Sequence, residues 1–219
     1  MLFINFKTYD EGTGKNALEL IKILEEVAQI SQIKIIPVVQ ATDIKEAVGI
    51  SKLEIWTQNV DAVLFGAHTG SILPESILED GATGTFLNHS ERKFQDTASL
   101  KQTIERCTQL GLKTLVFASS LDELGIISSY GPTFVAYEPP EFIGSTTISV
   151  TSAQPDIILK AVETAKTHNL PLIVGAGIHS KDDIKKSLEL GATGIALAKV
   201  ILKSQDPRKE LLDLVEGFR

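Results

Sequence analysis

The chain has 219 residues, 21 Lys and Arg against 28 Asp and Glu, a net charge of −7, and 43% hydrophobic against 22% charged residues. That is the composition of a folded globular protein, and its acidic balance argues against nucleic acid or an anionic membrane as a bulk partner, since both need basic surface. The lone cysteine, Cys107, excludes a disulfide scaffold and fits a reducing compartment; no apolar run reaches the ~18 residues of a membrane span, and the apolar start at Met1 is too short for a signal peptide, so a cytoplasmic location is expected.

Eight short apolar runs read as strands, at residues 2–7, 34–39, 53–58, 84–87, 114–118, 133–137, 171–174 and 194–198. Between the first two, residues 15–29 place Ala17, Leu20, Ile21, Leu24, Val27 and Ala28 on one stripe, the pattern of an amphipathic helix. Residues 97–110, 155–169, 180–190 and 207–218 repeat it. Pro155 and Pro207 suit a first helical turn, and Ser180 with Asp183 resembles a capping box. Shorter helices are expected at 43–50, 74–79 and 121–128.

Strands that are apolar on both faces belong in a parallel sheet covered by helices, and strict alternation of strand and helix gives an α/β fold. Eight units leave about 27 residues each, tight for a closed parallel eight-stranded (β/α)8 barrel but feasible. A doubly wound open sheet is the alternative. No composition shift breaks the chain and no Gly-x-Gly-x-x-Gly follows the first strand, so one barrel domain spanning 1–219 is expected.

In a closed barrel the chemistry sits where strands end. Those ends carry Asn5 and Lys7, Gln58 and Asn59, the run Asn88-His89-Ser90-Glu91, then Glu138, Gly175-Ala176-Gly177, and Ala198-Lys199. A lysine, a histidine and a carboxylate at one mouth supply a cation, a neutral donor and a base, and the last two strand ends lie where many barrels bind phosphate through backbone N–H groups. The set fits proton transfer on a small phosphorylated carbonyl compound. Singly, each residue has a plain alternative: Lys7 a solvated charge, His89 a hydrogen-bonded structural histidine, Glu138 a strand terminator before two prolines, the glycines a turn. His68, His168 and His179 read as surface or turn residues, Cys107 as helix packing and Trp56 as barrel core. No zinc motif is present.

Taken together these residues resemble the triosephosphate isomerase family, in its short archaeal type. Asn5-Phe6-Lys7 looks like the family's first-strand motif, Gly66-Ala67-His68-Thr69-Gly70 its third loop, and Leu87-Asn88-His89-Ser90-Glu91-Arg92 its histidine motif. Tyr137-Glu138-Pro139-Pro140-Glu141-Phe142-Ile143-Gly144 is similar to the base and lid motif, and Gly175-Ala176-Gly177-Ile178 to the seventh loop. The likeness runs from Phe3 to the final helix, with the motifs in the family's order.

The resemblance implies a TIM barrel that interconverts dihydroxyacetone phosphate and glyceraldehyde 3-phosphate with no cofactor and no metal. Glu138 would be the base, and His89 would polarise the carbonyl as a neutral imidazole, with Ser90-Glu91-Arg92 opening a short helix behind it, in line with the general account of this family. Lys7 would balance phosphate and enediolate charge, held by Asn5. Glu91 resembles the carboxylate behind the lysine and histidine, and Thr69 the loop residue that reaches a neighbouring subunit's site. The N–H groups of Gly144, Gly177, Ala198 and Lys199, with Ile143 in the lid, would grip the phosphate. A homotetramer is implied, with a homodimer as alternative.

Three departures from the family are visible: Thr146 in the lid where the pattern has glycine, Lys199 where glycine is usual, and Phe117 where many members carry cysteine. The rival readings are another phosphosugar barrel enzyme of the epimerase kind, which would show paired aspartates and metal-binding histidines at strand ends, and a catalytically silent barrel kept for binding or assembly.

Overall fold

The computed structural model describes residues 1–139 and 154–219. Eight strands close into a barrel in chain order: β1 (Leu2–Asn5), β2 (Ile35–Val39), β3 (Trp56–Thr57), β4 (Gly84–Leu87), β5 (Lys113–Ala118), β6 (Phe134–Tyr137), β7 (Leu172–Val174) and β8 (Gly194–Leu197). Every neighbouring pair is parallel, and β8 closes on β1 with Leu2 opposite Ile195. The expected run 53–58 pairs only at Trp56 and Thr57, because bonding on both sides is satisfied there alone. Its flanks continue as single bonds, Gln58 N to Val39 O and Thr83 N to Ile55 O.

Around the barrel lie α1 (Gly14–Ser31), α2 (Ile44–Ile50), α3 (Pro74–Glu79), α4 (Thr97–Gln109), α5 (Leu121–Ser128), α6 (Pro155–Thr167), α7 (Lys181–Glu189), α8 (Lys199–Leu202) and α9 (Pro207–Val215). Packing, rather than capping, holds α1. It has no side-chain cap bond at Thr13, yet it buries Leu20, Ile21, Leu24 and Val27, each worth about 1.5–3 kcal/mol against about 1 for a cap. The Ser180–Asp183 capping box forms as read from the sequence. The segment expected as one helix over 207–218 breaks at Val215 into α9 and a 3-10 turn, Glu216–Phe218. Gly217 sits there with its backbone against α7; an added Cβ would lie 2.4 Å from the Lys181 carbonyl oxygen.

Alternation along each strand sorts side chains into two layers. Phe3, Trp56, Phe86, Phe117, Ala136 and Ile173 pack with one another inside the barrel, while Leu2, Ile4, Leu87, Tyr137, Val174 and Ile195 join the helices in the larger outer core. Edge-to-face ring pairs, Phe3 on Trp56 at 5.1 Å and Phe86 on Phe117 at 4.8 Å, fill the interior. At the foot of β4 only glycine fits, since a Cβ on Gly84 would lie 2.2 Å from the Trp56 ring. The same alternation, carried one or two residues past the strands, decides which polar groups face the open mouth.

Candidate active site

Phe3 points inward, so Asn5 and Lys7 follow on the same side of β1, and both line the cavity at the mouth. Lys7 adopts φ +47°, a left-handed turn that most side chains avoid. Two bonds hold it there: its N–H donates to Asn5 Oδ1 at 3.0 Å, and its carbonyl accepts from Gln58 Nε2 at 2.8 Å. Its ammonium reaches Glu91 at 2.6 Å, the anionic partner a half-buried lysine needs.

His89 reaches the mouth differently. Phe86 faces the interior and Leu87 the outer core, so alternation alone would turn Asn88 inward and His89 away. Asn88 instead takes φ +58°, and His89 lines the cavity. No helix opens behind it, contrary to the expectation for Ser90-Glu91-Arg92. Residues 90–91 form a single turn closed by Arg92 N to His89 O at 2.8 Å, after which the Phe94 N–H returns to Asn88 Oδ1 and Arg92 pairs with Asp61, so the segment does not continue as a helix. The Glu91 N–H donates to His89 Nδ1 at 3.2 Å, so the neutral ring carries its proton on Nε2. Burial, with the positive Lys7 and Lys93 nearby outweighing Glu91, pushes the imidazole down to about 4. It stays neutral in ordinary conditions without a helix N-terminus.

Glu138 follows Ala136 inward by simple alternation, with its N–H bonded to Ala118 O at 2.9 Å. Its carboxylate lies 3.6 Å from His89 Nε2, too far for a good hydrogen bond. Burial pushes it up to about 7, and Ser90 and Lys7, which favour the anion, offset this only in part. The Ser90 hydroxyl and Glu138 Oε2 are both buried without a hydrogen-bond partner. A buried carboxylate with a free oxygen lobe is a base waiting for a proton.

Across the mouth, Ile173 and Ala196 face inward, which brings Gly175 and Ala198 to the lumen beside Gly177 and Lys199. Gly177 has φ +63°, a turn that suits glycine. Lys199 opens α8, is exposed, and its side chain has no ion pair among the described residues. The cavity holds about 380 Å³ and extends past the residues expected from sequence to Tyr9, His179, Lys203 and Glu210. His179, read from sequence as surface or turn, is half-buried there, with Nε2 covered and unbonded. No strand-end rule could have found these four, since each enters from a loop or helix. Lys203 is tied to Glu11 at 2.7 Å and lies over the Tyr9 ring.

Thr69 is exposed on the loop before α3 and does not line this cavity. Ile143 and Gly144 lie outside the described residues, as do Ser145, Thr146 and Thr147. No helix among the described residues is long and apolar enough to cross a membrane.

Comparison with known proteins gives the family. The family model for triosephosphate isomerase matches residues 1–217. The triosephosphate isomerase of Methanobacterium bryantii is 40% identical over 217 residues, covering 98% of this chain and 95% of its own length. Those of Metallosphaera sedula and Archaeoglobus fulgidus are 38% and 39% identical, covering 99% and 98% of this chain and 95% and 96% of their own lengths. Neither the epimerase reading nor the silent-barrel reading finds support in these relatives. The chain belongs to the triosephosphate isomerase family.

Proposed function

We propose that this chain, working as one barrel domain over residues 1–219, interconverts dihydroxyacetone phosphate and glyceraldehyde 3-phosphate, with Glu138 as the base. The observation that carries this reading is the pairing of a buried carboxylate, raised to about 7, with a neutral imidazole 3.6 Å away. The carboxylate takes the carbon-bound proton beside the carbonyl and returns it to the neighbouring carbon. His89 Nε2–H donates toward the carbonyl oxygen as negative charge grows on it, and a neutral donor matches the weak acidity of an enediol better than an imidazolium would. Lys7 supplies the balancing positive charge, Asn5 fixes its backbone, and Glu91 holds its ammonium. The N–H groups of Gly177, Ala198 and Lys199 serve the phosphate, so the substrate spans the cavity from base to anion grip.

The test is an assay of purified protein in EDTA with glyceraldehyde 3-phosphate as substrate and coupled detection of dihydroxyacetone phosphate. Absence of turnover above background would end the reading. The proposal extends to glycolysis and gluconeogenesis in the cytoplasm, and to assembly. Leu64 and Phe65 are 58% and 74% exposed on the segment leading into the Thr69 loop. An apolar tip of that kind suits docking into a second copy. A homotetramer is expected, with Thr69 at the interface. Light scattering that reports a dimer corrects the count, and a fully active monomer removes the proposal.

A further inference from the structure

The positioning of His89 depends on Asn88, Lys93, Ser119 and Glu123, none of which lines the cavity. Asn88 takes the left-handed turn that aims the imidazole, and its side chain makes three hydrogen bonds that hold that turn. Its Oδ1 accepts from the Phe94 N–H at 3.1 Å, closing the loop on itself. Its Nδ2 donates to the Phe117 carbonyl and to Glu123 Oε1, both at 2.9 Å. Phe117 is the residue whose ring packs edge-to-face on His89, with centroids 4.9 Å apart.

Glu123 is the hub behind these contacts. It stands in the first turn of α5, where a glutamate three residues after the Ser120 cap would ordinarily return to the cap's own N–H. Here it reaches one residue further back: Oε2 accepts from the Ser119 N–H at 2.7 Å and from the Ser119 hydroxyl at 2.6 Å. That leaves Oε1 for Asn88, while the Lys93 ammonium sits 2.7 and 2.8 Å from the two oxygens. These donors hold the carboxyl below its usual range against the cost of its burial. The network therefore pins both ends of the histidine loop, at Asn88 and Lys93, to the start of α5 and to the backbone of Phe117.

We infer that Glu123, acting through Asn88, is a positioning residue for His89: it fixes the imidazole against its Phe117 platform so that Nε2–H faces the cavity beside Glu138. The inference rests on the isomerase reading above. Its mechanism is orientation, since small errors in the placement of a catalytic group cost large factors in rate while leaving substrate binding to other residues. Asn88, Lys93, Ser119 and Glu123 do not line the cavity beside Gly177, Ala198 and Lys199.

Asn88→Asp tests it most directly. The substitution is isosteric, tolerates the left-handed backbone, and keeps the acceptor for the Phe94 N–H. It replaces the donor facing Glu123 and Phe117 with a second carboxylate. The expected result is a fall in kcat of about tenfold or more, with KM and inhibition by inorganic phosphate changed less than twofold. Glu123→Ala should lower kcat in the same way, and the double variant should be no slower than the slower single one, because both break one link. Native circular dichroism identifies the variants that fold; if Glu123→Ala does not, the isosteric Asn88→Asp decides. Wild-type kcat in folded Asn88→Asp overturns the inference, and so do losses that multiply in the double variant. An inactive wild-type chain would instead defeat the isomerase reading, so the two failures are distinct.

Discussion

Glu138 and His89 meet across 3.6 Å, yet the ends of β6 and β4 deliver them by different means. On β6 the pleat is sufficient: Ala136 faces in, Tyr137 faces out, and Glu138 faces in again. On β4 the pleat alone gives the wrong answer, and the chain reverses it with one left-handed residue, Asn88, which side-chain bonds to neighbouring loops sustain. A group aimed by the pleat is as rigid as the barrel. A group aimed by a supported turn is only as well placed as its supports, and the chemistry of the pair is set by the burial they share.

The largest break in this comparison comes from removing the base. Glu138→Gln keeps the shape of the β6 end and should lower kcat about 10³-fold, inside the range for loss of a general base, with inhibition by inorganic phosphate nearly unchanged. Equal losses of rate and of phosphate affinity would remove Glu138 from that role. His89→Gln should cost about 10²-fold in kcat and remain folded, since the Asn88 bonds to Phe94, Phe117 and Glu123 still hold its loop. In wild type the His89 ring nitrogens should show no titration near neutrality; a normal histidine curve there would contradict the neutral donor.

A sharper contrast lies in how the two groups couple stability to pH. Glu138 is raised from 4.5 to about 7, so between those values the folded chain holds a proton that the unfolded chain has lost, and stability falls as pH rises. His89 is lowered from 6.5 to about 4, so over that range the unfolded chain holds the extra proton, and stability falls as pH drops. The Tm difference between Glu138→Gln and wild type should therefore move in the variant's favour as pH rises from 4.5 to 7. For His89→Gln it should move in the variant's favour as pH falls from 6.5 to 4. Melting curves across that range give both slopes, and parallel shifts with no pH dependence would contradict the burial argument. The kcat/KM profile should also lose activity on the acid side with a midpoint near 7, as Glu138 takes up its proton.

The smallest effect is expected at β8, where the pleat again decides. Ala196 and Ala198 face the lumen in turn, so Lys199 offers its backbone N–H while its side chain stays exposed at the rim. Lys199→Ser should change KM less than threefold, roughly 0.6 kcal/mol. A tenfold rise in KM that disappears at high salt would make the ammonium a phosphate ligand.

Much of this was legible in the chain itself. Apolar runs on a regular spacing determine strands and helices locally, and parallel strands covered on both faces leave few ways to pack, so the closed barrel followed from pattern. Strand-end polarity located Lys7, Glu138 and the glycine turn for the same reason, because the pleat carries side-chain direction a residue or two beyond the last ladder bond. Other features exist only once distant segments meet. The turn at Asn88 depends on Phe117 and Glu123, and Lys7 depends on Gln58 and Glu91. Tyr9, His179 and Lys203 converge on the cavity from three separate loops or helices. The shifted ionisation of His89 and Glu138 belongs to that second group as well, since desolvation is a property of the assembled interior and no single stretch of sequence contains it.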